Sequence, residues 1–328
     1  MSLQAVYQQM GAVLAPDGIP LHFGDLKAEY HAALEGCIVL DRSHEGRLML
    51  NGADRFDLLN RMSTNNMLNM KHGEGRATIF VNANARILDR TMVYHQGDDE
   101  LLMITSPGRG QAMADYLQRN IFFADKVKLR SLMSETRLFA LHGVQADAIM
   151  EKLAPELTAE FIGKSIPLIG SAWIILASAE SAEAVWHKII QAGAKPSGGL
   201  TYNTLRIRAG LPARELSTDY IPLELGLWDD VSFNKGCYTG QEIIARMESR
   251  NKLAKMLVRL ELNQFVESPV ELFHDGKRAG MLTSSVQSPD DEVFAMGVIK
   301  TDLAQPDVQL TTSDGVIIRV DTPLGVQH

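Results

Sequence analysis

Apolar positions in this chain recur at two periods, and the switches between them mark out its elements. Residues 26–34 carry the spacing of a helix, and Cys37-Ile38-Val39-Leu40 is the short continuous apolar run of a buried strand. Residues 47–50 predict a second strand. After a turn at Asn51-Gly52, residues 53–62 predict an amphipathic helix with Phe56, Leu58 and Leu59 inward. Strands are predicted over 77–81, 87–95 and 100–105. Ser106 then stands where a helix cap is expected, with Pro107 at the first helical position and the helix running to about Arg119. The grammar repeats more loosely as strand 136–141, helix 146–153, strand 171–177, helix 182–192 and helix 201–209. From about residue 255 short alternating segments take over, at 256–262, 270–273, 279–284, 293–299 and 316–320. Asp275-Gly276 and Asp314-Gly315 fall between them as hairpin turns. The pattern is α+β followed by a small closed barrel, with a boundary near residues 251–254.

The length of 328 residues suits two or three domains, and a hydrophobic content of 45% supplies a substantial core. A net charge of −8 argues against a dominant polyanion-binding face. No apolar run approaches the ~20 residues of a membrane helix. Met1-Ser2-Leu3-Gln4 lacks the basic and apolar regions of a secretory signal. Two cysteines, Cys37 and Cys237, fit a reducing compartment with no disulfide framework. The expectation is a cytoplasmic protein without nucleic-acid or membrane partners.

Candidate chemistry concentrates in Lys235-Gly236-Cys237-Tyr238-Thr239-Gly240-Gln241-Glu242. A cation beside a cysteine favours the thiolate, and flanking glycines let another backbone or a ligand come close. The same residues equally describe a small side chain buried in a tight turn. Lys235, Arg246, Arg250, Lys252 and Lys255 form a cationic run able to hold a carboxylate or phosphate, or simply a solvated face. On the 87–95 strand, alternation puts Ile87, Asp89, Thr91 and Val93 on one side and Leu88, Arg90, Met92 and Tyr94 on the other. A half-buried strand carboxylate can orient or deprotonate an amine, or pair with an arginine. No histidine or cysteine set has metal-ligand spacing, so no metal is expected.

Residues 235–242 resemble the K-G-C-Y-x-G-Q-E motif of the YgfZ family, a branch of the folate-binding superfamily that includes the T-protein of the glycine cleavage system. Asp41-Arg42-Ser43-His44-Glu45-Gly46 is similar to the T-protein D-x-S-H-x-G segment. Met62-Ser63-Thr64-Asn65, Arg86-Ile87-Leu88-Asp89, Leu141-His142-Gly143 and the stretch 280–289 resemble further segments of that superfamily. The resemblance implies two ferredoxin-like α+β parts plus a C-terminal barrel in a cloverleaf, divided as 1–135, 136–253 and 254–328. It implies Cys237 and Asp89 as catalytic residues. It implies a site for tetrahydrofolate or a folate derivative built from Asp89, Arg208, Lys235, Tyr238, Gln241 and Arg246. Implied partners are the folate-like molecule and iron–sulfur or lipoylated proteins. Three functions stay open: support of iron–sulfur enzymes through a reactive Cys237, an aminomethyltransferase of the glycine cleavage type, and a binding module without folate.

Three departures bear on these expectations. The family commonly has R-x-E-A-G, whose glutamate hydrogen-bonds the pterin ring; here Arg206-Ile207-Arg208-Ala209-Gly210 puts Arg208 at that position. A guanidinium only donates, so the acceptor must come from elsewhere, with Glu215 and Glu224 as candidates. T-proteins often have Asp-Asp where this chain has Asp89-Arg90, and a tyrosine near Ala77.

Overall fold

A computed structural model describes residues 2–97, 99–250 and 252–325. Asn251, the first position of the expected barrel boundary, lies outside them. The chain divides into two compact units, each discontinuous in sequence. One comprises Met1–Leu58, Met67–Arg76 and Thr91–Leu205; the other comprises Leu59–Asn66, Ala77–Arg90 and Arg206–His328.

In the first unit the strands Phe161–Lys164, Ser171–Ser178, Thr136–Gly143, Ile38–Asp41 and Lys195–Pro196 form one sheet in that order. Pairing is antiparallel except for the last, parallel pair. The apolar run Leu138-Phe139-Ala140-Leu141 is continuous because both faces of its strand are covered. Phe139 and Leu141 pack with Trp186, Tyr7 and Ile149 from helices Ala182–Gln191, Leu3–Gln9 and Ala146–Leu153. Leu138 and Ala140 pack instead with Met49, Tyr94, Leu102 and Ile104. Those four residues belong to a second sheet, in which residues 92–97 pair antiparallel with Glu100–Pro107, that strand with Glu45–Asn51, and Glu45–Asn51 with Lys128–Ser131.

The helix after this second sheet corrects one expectation. The strand continues through Ser106 to Pro107, and the helix is Gly110–Arg119 with Arg109 at its cap and no side-chain capping bond. Pairing of Glu45 with Pro107 across the sheet holds the 106–107 pair extended, overriding its local preference for a helix start.

In the second unit six strands close a barrel in the order Lys255–Leu262, Val293–Lys300, Lys277–Gln287, Val270–His274, Gln309–Thr311, Ile317–Pro323. Its core includes Val258, Leu260, Leu272, Leu282, Ile299, Leu310 and Ile318. The Asp275-Gly276 turn has φ of 48° and 70°, the left-handed pair that a two-residue hairpin needs. Beside the barrel sequence, the same unit holds helix Gln241–Arg250 and the short turns Pro222–Leu225 and Trp228–Asp230. Among the described residues no helix is long and apolar enough to cross a membrane.

Candidate functional site

Alternation over residues 87–93 decides which side chains are sealed. Ile87 and Asp89 have no exposed surface, while Leu88 and Arg90, pointing the other way, keep some. Asp89 Oδ1 accepts the backbone N–H of Arg90 at 3.0 Å, which fixes the orientation of the carboxylate. A carboxylate withdrawn from water in this way acts on its neighbours more strongly than a solvated one. Arg90 is itself engaged. Its Nε donates to Asp230 Oδ2 at 2.6 Å, across 140 residues of sequence. Asp230 is buried, and its carbonyl accepts the Thr64 hydroxyl at 2.6 Å. The Thr64 oxygen in turn accepts the Ile79 N–H at 3.0 Å. Nothing in the local sequence announces the Arg90–Asp230 pair, because its members meet only through tertiary structure.

The Lys235–Glu242 loop separates into residues that hold it and residues that it presents. Lys235 holds it. Its Nζ donates to the carbonyls of Asn60, Ser63 and Asn65 at 2.5, 2.8 and 2.6 Å. Burial lowers this ammonium to about 7. The three carbonyls act against that, since all three hydrogens of the charged form have an acceptor and a neutral amine could serve only two. The Nζ also lies 5.0 Å from the centre of the Tyr238 ring. Tyr238 is an anchor as well, buried with Ala85, Ile221, Leu223, Val231 and Ile244, and burial pushes its hydroxyl up to about 12. Gly240 has φ of +79°, and a Cβ there would stand 2.8 Å from the Asn82 carbonyl oxygen, so both conformation and space demand glycine.

Cys237 is exposed and free. A Cβ on its neighbour Gly236 would meet nothing within 4 Å, so space is open beside the thiol. Gln241 begins the following helix half-buried, with its N–H on the Tyr238 carbonyl at 3.2 Å. Arg246 is exposed on that helix. Cys37, by contrast, is buried in the first unit, and burial raises its thiol to about 12.

The structure brings Lys235 and Tyr238 together and places Arg208 on barrel residues. The Arg208 carbonyl accepts from Arg259 at 2.6 Å, and its guanidinium lies 5.7 Å from the Phe294 ring centre. The two carboxylates considered as replacements for the missing glutamate differ sharply. Glu215 is saturated: it accepts Ser284 Oγ at 2.6 Å, the Ala213 N–H at 3.0 Å and Arg206 Nη1 at 3.4 Å. Burial would raise its carboxyl, but the Ser284 hydroxyl and the Arg206 charge outweigh that and hold it below its ordinary value. Glu224 is also buried, yet its one hydrogen bond among the described residues is from the Ile221 N–H at 3.1 Å to Oε2. Burial raises its carboxyl despite that bond and the nearby charges of Lys255 and Arg86. Among the described residues no cluster of His, Cys, Asp and Glu is arranged to hold a metal ion.

The Asp41–Gly46 segment lies in the first unit and is directed inward. Asp41 accepts the Tyr7 hydroxyl at 2.9 Å and the Ser43 N–H at 2.8 Å. Arg42 pairs with Glu45 and stacks 3.8 Å from the Tyr202 ring centre. A Cβ on Gly46 would fall 2.3 Å from the Gly110 Cα, so helix and strand touch there through two glycines.

Comparison with known proteins places this architecture. A domain described as the GCVT N-terminal domain matches residues 3–163. A chloroplast protein of Arabidopsis thaliana, named as a transferase, is 33% identical over 325 residues, covering 93% of this chain and 75% of that protein. An aminomethyltransferase of Halalkalibacterium halodurans is 25% identical over 312 residues, covering 87% and 85%. The fold matches the crystal structure of glycine cleavage system aminomethyltransferase T from Bartonella henselae. The TM-score is 0.88 over 99% of this chain and 97% of that one, at 21% identity. The chain therefore belongs to the GCVT family, the T-protein-like family of aminomethyltransferases and their relatives.

Proposed function

We propose that this protein binds a folate-class ligand and is a tetrahydrofolate-dependent transferase of the aminomethyltransferase type. The observation that carries this reading is Asp89, a carboxylate with no solvent exposure, oriented by the Arg90 N–H on a strand of a GCVT-family fold. Tetrahydrofolate, when bound, supplies the amine that accepts a one-carbon unit. The role of Asp89 is to accept a hydrogen bond or a proton from that amine, in a setting where a buried carboxylate acts without competition from water. Holding the reactants in place contributes a further large share of the rate. Arg208 at the family's glutamate position does not fit the usual pterin contact, so the acceptor for the ring edge belongs to another residue.

The test is an assay with lipoylated carrier protein bearing the aminomethyl group, with and without tetrahydrofolate. Folate-dependent release of ammonia, lowered at least about a hundredfold in Asp89→Asn, is expected. No folate-dependent ammonia from the wild-type protein would end the transferase reading.

A second reading is favoured by the exposed thiol of Cys237 beside the open Gly236. In it the protein supports iron–sulfur enzymes, with Cys237 as its working thiol. Deleting the gene should then lower the activity of iron–sulfur enzymes, and a Cys237→Ala copy should fail to restore it. Full restoration by that copy would remove this reading.

A further inference from the structure

The Arg90–Asp230 pair is an expensive contact whose stability return is small. Its side chains are 17% and 6% exposed, so both charges are largely withdrawn from water. A pair of that kind adds little stability over two apolar residues of the same volume. What it does supply is position, because a charge-assisted bond of 2.6 Å from Arg90 Nε to Asp230 Oδ2 tolerates little displacement.

Within the pair, Asp230 is the fixed member. It ends the short turn Trp228–Asp230, and that turn is tied down without help from Arg90. The Asp230 carbonyl accepts the Thr64 hydroxyl at 2.6 Å, and the Asp229 carbonyl accepts Asn65 Nδ2 at 3.0 Å. Just beyond the turn, the Ser232 N–H donates to the Thr64 carbonyl at 3.0 Å. At its other end Trp228 Nε1 donates to the Gly325 carbonyl at 3.0 Å. Thr64 and Asn65 are themselves secured, Thr64 Oγ1 by the Ile79 N–H at 3.0 Å and Asn65 Nδ2 by the Ala77 carbonyl at 2.9 Å. The Asp230 carboxylate thus stands on a frame built from residues 64–65 and 325. Arg90 is the long side chain, with many rotamers of its own, that this frame holds.

Holding Arg90 also holds its main chain, and the Arg90 N–H is the group that donates to Asp89 Oδ1 at 3.0 Å. Alternation sends the side chains of 89 and 90 to opposite faces, so Asp230 reaches the Asp89 carboxylate through the main chain and not by touching it. Charge points the same way. Arginine at residue 90 puts a cation beside a carboxylate that has to accept a proton, and a neighbouring cation opposes that. Asp230 engages the cation on the other face.

We propose, on the reading that Asp89 serves the folate amine, that Asp230 is a positioning residue for the transfer: through Arg90 it sets the orientation of the Asp89 carboxylate.

The test is a double-mutant cycle on folate-dependent ammonia release from the aminomethyl-bearing lipoylated carrier, with the full-length protein. Asp230→Asn keeps the shape of the side chain and removes its charge. It should lower kcat at least about tenfold, with KM for tetrahydrofolate within about twofold of wild type. In an Asp89→Asn background the same change should cost less than about twofold in kcat, because no carboxylate is left to position. Arg90→Met combined with Asp230→Leu replaces the pair by apolar volume. It should unfold at or above the wild-type midpoint and still show the tenfold loss, whereas a purely structural pair would regain its rate with its stability. The apolar pair decides the matter if Asp230→Asn misfolds, and the cycle decides it if the apolar pair does. Equal losses from Asp230→Asn in both backgrounds, or wild-type kcat in the apolar pair, overturns the role of Asp230 and leaves the transferase reading intact. A wild-type protein that releases no folate-dependent ammonia removes that reading and this role together.

Discussion

Asp41–Gly46 and Lys235–Glu242 are the two segments of this chain richest in polar side chains and glycine that also match family motifs, yet they use those residues in opposite ways. In the first, the carboxylates, the guanidinium and the serine are consumed in folding, and His44 Nδ1 is buried without a partner among the described residues. Arg47, just beyond it, shows the extreme: it donates to Thr136 Oγ1 at 2.9 Å and to the carbonyls of Ser43, Glu45, Met133 and Thr136 at 2.9, 2.5, 3.1 and 3.3 Å. In the second, Lys235, Tyr238 and Gly240 hold the loop, while Gly236 and Cys237 are left open. A motif is therefore not a unit of function. Part of it builds a platform, and only what the platform leaves unsatisfied is available for chemistry.

The comparison breaks first if the inward segment proves dispensable. Arg47→Met removes five hydrogen bonds and strands buried acceptors, so a loss of about 4 kcal/mol is expected in denaturant unfolding. A loss below about 1 kcal/mol would mean that the buried network is not structural. Lys235→Met asks the same of the loop. Three carbonyls lose their donor, and about 3 kcal/mol should follow. If instead the variant is as stable as wild type but loses ligand binding, Lys235 belongs with the presented residues and the division drawn above is wrong.

Acid sharpens the contrast, because the inward region holds histidines that resist protonation. Burial, reinforced by the Arg42 charge, lowers His142 to about 3 and His44 to about 4. The unfolded chain takes up these protons near 6.5 and the folded chain does not. The unfolded state therefore binds more protons below that value, and the stabilisation present above pH 6.5 is lost as pH falls towards 4. For the sealed His142 the slope reaches about 1.4 kcal/mol per pH unit. Asp41 works the other way, since burial raises it and the folded state takes its proton first. His142→Gln, which keeps an acceptor for the Leu168 N–H, should flatten the pH dependence of the unfolding midpoint between pH 6.5 and 4. An unchanged slope would show that His142 is not sealed.

What the sequence made legible follows the same physical line. The alternation at residues 87–95 identified the face on which Asp89 is buried, because period two leaves a strand little choice. Five of the six barrel strands and the Asp275-Gly276 turn were readable from spacing and turn chemistry, whereas the three-residue strand Gln309–Thr311 is too short to show alternation. Ser106 and Pro107 misled, since their helix-start preference is local and the pairing of Glu45 with Pro107 is not. The Arg90–Asp230 pair and the carbonyl cradle of Lys235 were invisible for a related reason. Their partners lie 140 and up to 175 residues away, and a carbonyl carries no residue-type signal. Glu215 and Glu224 looked alike as carboxylates; only their hydrogen-bond partners separate the closed one from the open one.

The smallest expected effect tests the open half of the loop most cleanly. Cys237 is exposed, and Gly236 beside it has empty space where a side chain would go. Cys237→Ser should therefore change stability by less than about 0.5 kcal/mol. In the native protein, iodoacetamide should label Cys237 alone, while Cys37, sealed and raised to about 12, should react only after unfolding. Mass spectrometry of the intact chain counts one adduct in the first case and two in the second. A functional defect in this variant would then be chemical, because the fold does not depend on the sulfur. A Cys237→Ser protein that melts early, or a native Cys237 that resists alkylation, would instead place this thiol among the loop's anchors, alongside Tyr238.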